Sequence, residues 1–575
     1  MTAASPMPDE PADFDSLLAL ALGHHRAGRL AEADAAYRAI LALRPDVAEV
    51  HRNLAGVLRS LGKLDEAAAR YRQALALRPD SANVHNDLAN MLQSQGKLDE
   101  AVFHYQQALA LRPNYADALN NLGNALSEQG KLDEAVARFE QAIALRPQHA
   151  RAHYNLGNTL RRQGKLDEAA ARFAQAIALR PDFAEAHYNL GNTLKRQGRL
   201  DQAVACFEQA AALRPDHAGA LKNLGLALQD QLKLAEARQV FQRLLALHPD
   251  LIDAQVSLAA CYLLDADYER GWPAYEARLA MPKLASRHKL PRWKGEPLIG
   301  RSLVLSAEQG LGDTIQFVRY ARLLKQRGAR VVLACPKALG RLLTRATDVD
   351  EVFVLGPGEE PPHCDFYLPL PSAPGALGTT AATIPHDVPY LSADPALAAQ
   401  WRRELADIEG FKIGIAWQGA RTYALDRWRS IPLAHFAPLA RLPGVRLISL
   451  QKGFGSEQIA AVDFPVLDLS ARLDEVAGGF MDTTAVIGAV DLVVTSDTSI
   501  AHLAGALAAP VWVTLPFSPD WRWLSRGEAS PWYPTMQLFR QTANRQWADV
   551  FERIAKAVAA RRAETVPETD SRNGS

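Results

Sequence analysis

The 575-residue sequence predicts two architectures in series: an all-α repeat solenoid, followed by an α/β region built on parallel sheets. Three observations carry that prediction. The proline of an Arg-Pro pair returns every 34 residues, at Pro45, Pro79, Pro113, Pro147, Pro181 and Pro215, and again at Pro249 in a His-Pro. Between these prolines Gly-Lys-Leu-Asp-Glu-Ala recurs unchanged from Gly62, Gly96, Gly130 and Gly164, with looser copies from Gly28 and Gly198. Beyond about residue 300 the helical period gives way to short β-branched runs separated by amphipathic stretches.

Each repeat reads as two helices. In one unit Leu119, Leu122 and Leu126 share a face, as do Leu132, Ala135, Val136, Phe139, Ala142 and Ile143. Gly130 suits the left-handed residue that ends the first helix, and Pro147 stops the second. Neither helix covers its apolar stripe alone, so the units must stack. A period of this length with two helices per unit is the tetratricopeptide signature. After an N-terminus, residues 1–13, expected to be disordered, the solenoid is predicted over 14–285. It has seven clear repeats and a degenerate eighth (Val256, Leu258, Tyr262, Tyr268, Trp272, Tyr275) as its cap.

An irregular linker, 286–300, precedes the α/β region. Candidate strands are Ser302–Ser306, Arg330–Ala334, Glu351–Leu355, Lys412–Trp417, Arg446–Leu450, Asp491–Thr495 and Val511–Leu515, with helices such as Thr314–Gln326 and Leu433–Leu442 between them. Continuous Val/Ile/Leu strands alternating with helices argue parallel sheets covered on both faces. About 260 residues suit two such sheets, placed at 301–400 and 401–562, with the passage Gly356–Asp394 as their bridge. Residues 563–575 read as a disordered tail.

Bulk composition narrows the function. Lys+Arg and Asp+Glu balance at 64 each, against a nucleic-acid or membrane-surface binder. Cys206, Cys261, Cys335 and Cys364 are far apart and read as reduced packing residues. No basic n-region and no run of 18 apolar residues is present, so a cytoplasmic protein without a membrane span is expected.

Two sets of residues carry candidate chemistry. Asn53, Asn121, Asn155, Asn189 and Asn223 recur at one site of the first helix, with Asp87 as the odd member, and Asn90, Asn124, Asn158 and Asn192 stand three residues on. That spacing puts both rows on one face, where amides can pair with the backbone of an extended peptide or serve packing between helices. The second set lies in the α/β region. The first strand runs into a turn with Gly310, Gly312 and Asp313 at a helix start, where Asp313 is either an N-cap or an acid with a function. The strand ending near Thr495 leads into Asp497, Thr498 and Ser499 at another helix start, with His502 one turn on. A helix dipole, free amides and a nearby proton donor suit a diphosphate, and Arg427 and Arg429 add cations after the strand ending at Trp417. Trp521 and Trp523 stack on a sugar or base or, equally, plug the domain interface, while the Gln451-Lys452-Gly453 loop reads most simply as a surface turn, with contact to the nucleotide as its alternative.

The run from Asp497 to Ala506, with Gly310-Leu311-Gly312-Asp313, resembles the heptosyltransferase (glycosyltransferase family 9) pattern. The repeat-plus-transferase layout is also similar to O-GlcNAc transferase. The resemblance implies a GT-B fold of two doubly wound domains with a nucleotide sugar in the cleft. It implies Asp313 as catalytic base, with Asp497, Thr498, His502 and Arg429 as donor contacts. Ser499 stands where the family pattern has Gly, Arg429 where Lys is common, and Pro516 to Leu524 where a Gly-containing loop is usual.

The expectation is therefore a metal-independent hexosyl- or heptosyltransferase-like enzyme, without cofactor, whose acceptor is tethered by the repeat groove. That acceptor is a protein in keeping with the Asn rows, or a glycan or glycolipid in keeping with the heptosyltransferase likeness. The alternative is a catalytically inactive tetratricopeptide scaffold with a nucleotide-binding domain. A nicotinamide-dependent oxidoreductase is disfavoured because the third glycine of Gly-x-Gly-x-x-Gly is missing.

Overall fold

The computed structural model describes residues 14–282, 284, 290–308, 310–356, 359, 361–419 and 426–565, without the side chains of Arg427 and Thr565. The predicted disorder of residues 1–13 and 566–575 lies outside them. The chain divides into two compact units, 1–223 and 224–575.

The first unit is a stack of helical hairpins, from Phe14–Arg26 and Leu30–Leu43 through Ala184–Arg196 and Leu200–Leu213. The glycines between paired helices, Gly28 to Gly198, have φ between +72° and +82°, a conformation that costs a residue with a Cβ about 1 kcal/mol or more. The arginine before each proline is extended (Arg146, φ −138°, ψ 85°), as the proline ring requires. Inside the stack Gly123, Gly157 and Gly191 let the rings of Phe139, Phe173 and Phe207 lie against the first helix: a Cβ at these glycines would meet the ring at 2.7, 2.9 and 2.6 Å. Leu119, Leu122, Leu126, Ala135 and Ala142 are buried as their periodicity predicts.

The second unit opens with the last repeat helices: the end of Ala218–Asp230, then Leu234–Leu247, Ile252–Leu264 and Tyr268–Tyr275. Here the glycine rule breaks, because Leu232 and Ala266 occupy the turn position with φ of 59° each. The eighth repeat is not a polar cap. Tyr268 and Trp272 are stacked 5.2 Å apart and belong to the same buried core as the sheet residues Leu303, Val331, Val493 and Val513. The indole Nε1 of Trp272 donates to the Thr379 carbonyl at 2.8 Å. The stretch 290–300, read as linker, is anchored at two points, the buried Trp293 and Leu298; Trp293 is 1% exposed and its backbone N–H donates to the Tyr367 carbonyl.

Among the described residues ten strands form two all-parallel sheets: β1 Ser302–Ser306, β2 Arg330–Pro336, β3 Glu351–Leu355, β4 Phe366–Pro369, β5 Phe411–Ala416, β6 Val445–Ser449, β7 Val466–Asp468, β8 Leu492–Ser496, β9 Val511–Leu515 and β10 Met536–Arg540. The first sheet has the order β3-β2-β1-β4, the second β10-β9-β8-β5-β6-β7. The strands the sequence does not announce, β4, β7 and β10, are all edge strands; β4 and β7 have only four and three residues, and Gln537 and Arg540 interrupt the apolar run of β10. β4 lies inside the passage read as a bridge.

The helix expected over 314–326 starts earlier and is broken: Leu311–Phe317, then Tyr320–Gln326. At the break the Nε of Arg319 donates to the Gln316 carbonyl at 2.8 Å. Leu433–Leu442 is a 3-10 turn, Leu433–Phe436, and a single helical turn, Ala437–Ala440. The C-terminal helix Trp547–Thr565 runs three residues into the predicted tail. The described helices include none long and apolar enough to cross a membrane. The four cysteines are unpaired, three of them buried.

Candidate functional site

Strand order locates the site. In the first sheet the chain steps from β1 to β2 and β3 on one side, then places β4 on the other. In the second it steps outward from β5 through β6 to β7, then returns beside β5 with β8 and moves the other way. Loops leaving the carboxyl ends of strands diverge at such reversals and leave a crevice. A cleft of about 990 Å³ lies there, lined by the turn after β1 (Gly310 to Asp313), the loops after β5 (Gln418, Gly419, Arg429) and β6 (Gln451, Lys452, Phe454), the β8 turn (Asp497 to Ile500, and His502) and the loop after β9 (Asp520, Trp521, Arg522). Tyr275 of the eighth repeat also lines it.

Thus Gly310, Gly312, Asp313, Arg429, Asp497, Thr498, Ser499 and His502, nominated from three separate segments, meet in one space. Arg427 lies in the turn Asp426–Arg429, but its side chain is outside the described residues. Among the linings not nominated, three stand beside the nominated acids: Arg522, Asp520 and Tyr275. Arg522 and Asp520 follow a strand end in a charged, Trp-rich loop, the same kind of position that singled out the others. Tyr275 gave no signal: it stands 34 residues after Phe241, a core position of the repeat.

Asp313 is not an N-cap. The cap residue is Gly310, and Asp313 is the third residue of Leu311–Phe317. Its Oδ1 accepts from Nη2 of Arg522 at 2.7 Å, while its side chain stays 30% exposed. Arg522 also donates from Nη1 to Asp520 (2.7 Å) and from Nε to Gln316 Oε1 (2.9 Å). Burial pushes the Asp313 carboxyl above its ordinary range, with Arg522 pulling it back. Burial alone would lower the Arg522 guanidinium, but Asp313 and Asp520 hold it firmly protonated.

Packed beside the turn of Gly310 to Asp313, the helix Ser499–Ala506 begins at the cleft, with Thr498 as its cap residue and Ser499 among the linings. Burial, with the charge of Asp520, raises the Asp497 carboxyl to about 6. His502 is driven well below the usual imidazole range by burial and by Arg522, Arg319 and Arg429, so it is neutral. Its ring stacks on Trp523 at 5.2 Å, and its Nδ1 lies 3.1 Å from the Tyr533 hydroxyl. Gly312 is required by this arrangement, since a Cβ there would sit 2.8 Å from His502 Cδ2. Arg429 donates through Nε to Asp426 at 3.2 Å; Gly419 leaves room for the pair, its hypothetical Cβ lying 2.2 Å from Asp426 Oδ1.

The aromatic and loop residues sort themselves. Trp523 is fully buried behind His502, whereas Trp521 lines the cleft and meets Trp272 and Tyr275 edge-on at 5.4 and 5.6 Å. Gln451 is structural: its Oε1 accepts from the backbone of Trp417 and Gln418, and its Nε2 donates to the carbonyls of Gln418 and Phe454. Lys452 lines the cleft while its Nζ donates to the Leu473 carbonyl at 2.6 Å and pairs with Glu475. Among the described residues no three His, Cys, Asp or Glu side chains gather as a metal site.

In the first unit the asparagine rows are half-buried and partly engaged with one another. Asn121 donates to Asn86 (3.2 Å), Asn155 to Asn120 (2.9 Å), Asn189 to Tyr154 and Asn158, and Asn223 to Asn192 (2.7 Å). Asn90 accepts from the Tyr105 hydroxyl and Asp87 from Arg52. Part of the rows' capacity therefore joins neighbouring repeats; Asn53 and Asn124 remain half-exposed on the same face.

Comparison with known proteins assigns one part of the chain. Models of the tetratricopeptide repeat match residues 46–114, 80–148, 126–172 and 188–252, and a TPR repeat model matches 157–198. Residues 46–252 are tetratricopeptide repeats. The chain is similar to Protein FlbA of Caulobacter vibrioides, 30% identical over 318 residues, covering 50% of this chain and 52% of FlbA. It thus spans about half the length of that relative. Similar solved structures include YrrB, a TPR protein with an unusual peptide-binding site (26% identity, 32% of this chain and 95% of that one, TM-score 0.28). They also include MamA (25%, 29% and 96%, TM-score 0.27) and the type IV pilus biogenesis factor PilW (24%, 38% and 100%, TM-score 0.35).

Proposed function

We propose that the second unit is a GT-B-like, metal-independent glycosyltransferase that takes a sugar from a nucleotide diphosphate, and that the repeats select its acceptor. The observation that supports this most is the convergence of the loops from both sheet reversals on one cleft, holding an acid at a glycine turn, a helix N-terminus, the buried Arg522 and the partly exposed Arg429. In this reading the acceptor hydroxyl attacks the anomeric carbon, the bond from that carbon to the diphosphate oxygen breaks, and the hydroxyl proton passes to Asp313. Protonating Asp313 dissolves its ion pair and leaves Asp520 as the remaining carboxylate partner of Arg522, so the Nη2 end of that guanidinium is released toward the diphosphate as charge grows there. Arg429, with the amides at Thr498 and Ser499, stabilises the same leaving group. Asp497, raised toward neutrality, is the wall acid best suited to sit beside an anion.

The asparagine rows favour an extended peptide as what the repeats hold. Each half-exposed amide not engaged between repeats offers a donor and an acceptor to a backbone. A glycan or glycolipid acceptor uses the same cleft without that groove.

One observation favours the second reading, an inactive tetratricopeptide scaffold: the candidate base is already bound by Arg522. Incubation with a panel of nucleotide sugars separates the two. Release of nucleoside diphosphate from one donor supports the transferase; binding of nucleoside diphosphate without turnover of any donor supports the scaffold.

A further inference from the structure

A buried cation stands behind the cleft with no role in the chemistry above. Arg319 is 5% exposed, and its donors go to carbonyls and a phenol: Nε to Gln316, Nη1 to Pro385 (2.9 Å) and Trp532 (2.6 Å), and Nη2 to the Tyr390 hydroxyl (2.9 Å). Its guanidinium carbon lies 4.4 Å from the Tyr533 ring centre and 4.6 Å from that of Tyr390. From it a line of hydroxyls leads to the cleft. Tyr390 is 3.4 Å from the Tyr533 hydroxyl, and Tyr533 is 3.1 Å from Nδ1 of His502.

The protons along this line can be ordered. Tyr390 has one hydroxyl proton and donates it to the Ile315 carbonyl at 3.0 Å. Its oxygen therefore accepts from Arg319, and its second lone pair is the weaker of two acceptors open to Tyr533, being farther away and already polarised by a cation. The nearer acceptor is the imidazole nitrogen of His502. A neutral imidazole carries one N–H, and the hydrogen bond at one nitrogen decides where it sits. The stack on Trp523 fixes the ring plane, and Gly312 abuts the opposite edge, its hypothetical Cβ lying 3.5 Å from Nε2.

We infer that Tyr533 is a positioning residue whose O–H donates to Nδ1 of His502, which holds that imidazole as the Nε2–H tautomer and gives the cleft a hydrogen-bond donor, not a base. The matching ligand group is an oxygen acceptor, such as a phosphate or sugar oxygen. This rests on the cleft being the donor-sugar site. It assigns proton abstraction to Asp313 alone and removes His502 as a competing base.

The test is the nitrogen spectrum of the full-length protein labelled in its histidines, with His502 assigned through H502Q. The expected wild-type result is an unprotonated Nδ1 and a protonated Nε2, which needs no variant to be read. Tyr533→Phe, which keeps the ring that Gly505 packs against, is expected to shift the Nδ1 signal and mix the tautomers, and Tyr390→Phe to do so less. A proton on Nδ1, or an Nδ1 signal that Tyr533→Phe leaves in place, overturns the inference. ADP, GDP and UDP are then added in turn. A shift of Nε2 with one of them supports the ligand role, whereas the predicted tautomer unmoved by all three contradicts the transferase reading while the order of protons stands.

Discussion

The first six repeats and the last two obey different rules. In the first six, glycine occupies every positive-φ turn; in the last two, Leu232 and Ala266 hold the same backbone with side chains attached. The fourth to seventh repeats each bury a phenylalanine ring against a glycine of their own first helix, as Phe139 does with Gly123. The eighth sends Trp272 into the core of the α/β region and Tyr275 to the wall of the cleft. Regularity marks the part of the array whose helices pack on one another. Departure from it marks the part recruited to another job, where a residue is chosen for its neighbours in the second unit.

The strongest way to break this comparison is to cut the chain. A fragment beginning at 282 removes Tyr268 and Trp272 from a shared core and Arg278 from its buried ion pair with Glu308 (2.7 Å). It is expected to be unfolded or aggregated, whereas one beginning at Pro215 is expected to melt cooperatively. Calorimetry on both decides it, and equal stability would return the eighth repeat to the role of a simple cap.

Next in size, Asn121, Asn155 and Asn189 changed together to alanine should weaken capture of a protein partner and also lower the melting temperature of the first unit. Each lost side-chain bond is worth about 0.5–1.5 kcal/mol. Donor turnover in the second unit should not change. Intact partner capture would limit these amides to joining repeats.

A smaller effect is readable in pH. Asp497 titrates at about 6 in the folded protein against an ordinary 3.8. The folded state therefore binds its proton more tightly than the unfolded state, and this group's contribution to stability falls as pH rises from about 4 to 6. Asp497→Asn should remove that slope, measured as the wild-type-minus-variant difference in denaturant midpoint across the window. An identical profile would mean the carboxyl is not held in its protonated form.

The smallest effect lies in the turns themselves. Gly130→Ala should cost about 1 kcal/mol, and Ala266→Gly should recover up to about the same, because one creates and the other relieves a left-handed residue with a Cβ. Thermal melts of the two variants give the sign.

What the sequence disclosed follows the same division. The helix pairs were legible because one residue choice is repeated at a fixed interval, and the central strands because burial on both faces forces unbroken Val/Ile/Leu runs. Edge strands β4, β7 and β10 are short or interrupted by polar residues and were silent. Asp313, Asp497 and His502 could be nominated from local turn chemistry at strand ends. The ion pair of Asp313 with Arg522 could not, since 209 residues separate them and only the tertiary fold makes them neighbours. Tyr275 was hidden for the opposite reason, standing in a register position whose usual duty is packing.

The central proposal is that Asp313 and His502 serve one donor-sugar cleft with separate duties. With a donor identified, the deciding measurement is nucleoside diphosphate release at saturating donor and acceptor by wild type, Asp313→Asn and His502→Ala, with donor affinity titrated alongside. Asp313→Asn is expected to hold its donor affinity and lose roughly 10²–10⁴-fold in turnover, because the amide cannot take the proton. His502→Ala is expected to lose donor affinity as well as rate. Full turnover by Asp313→Asn, or wild-type donor affinity in His502→Ala, would contradict the account.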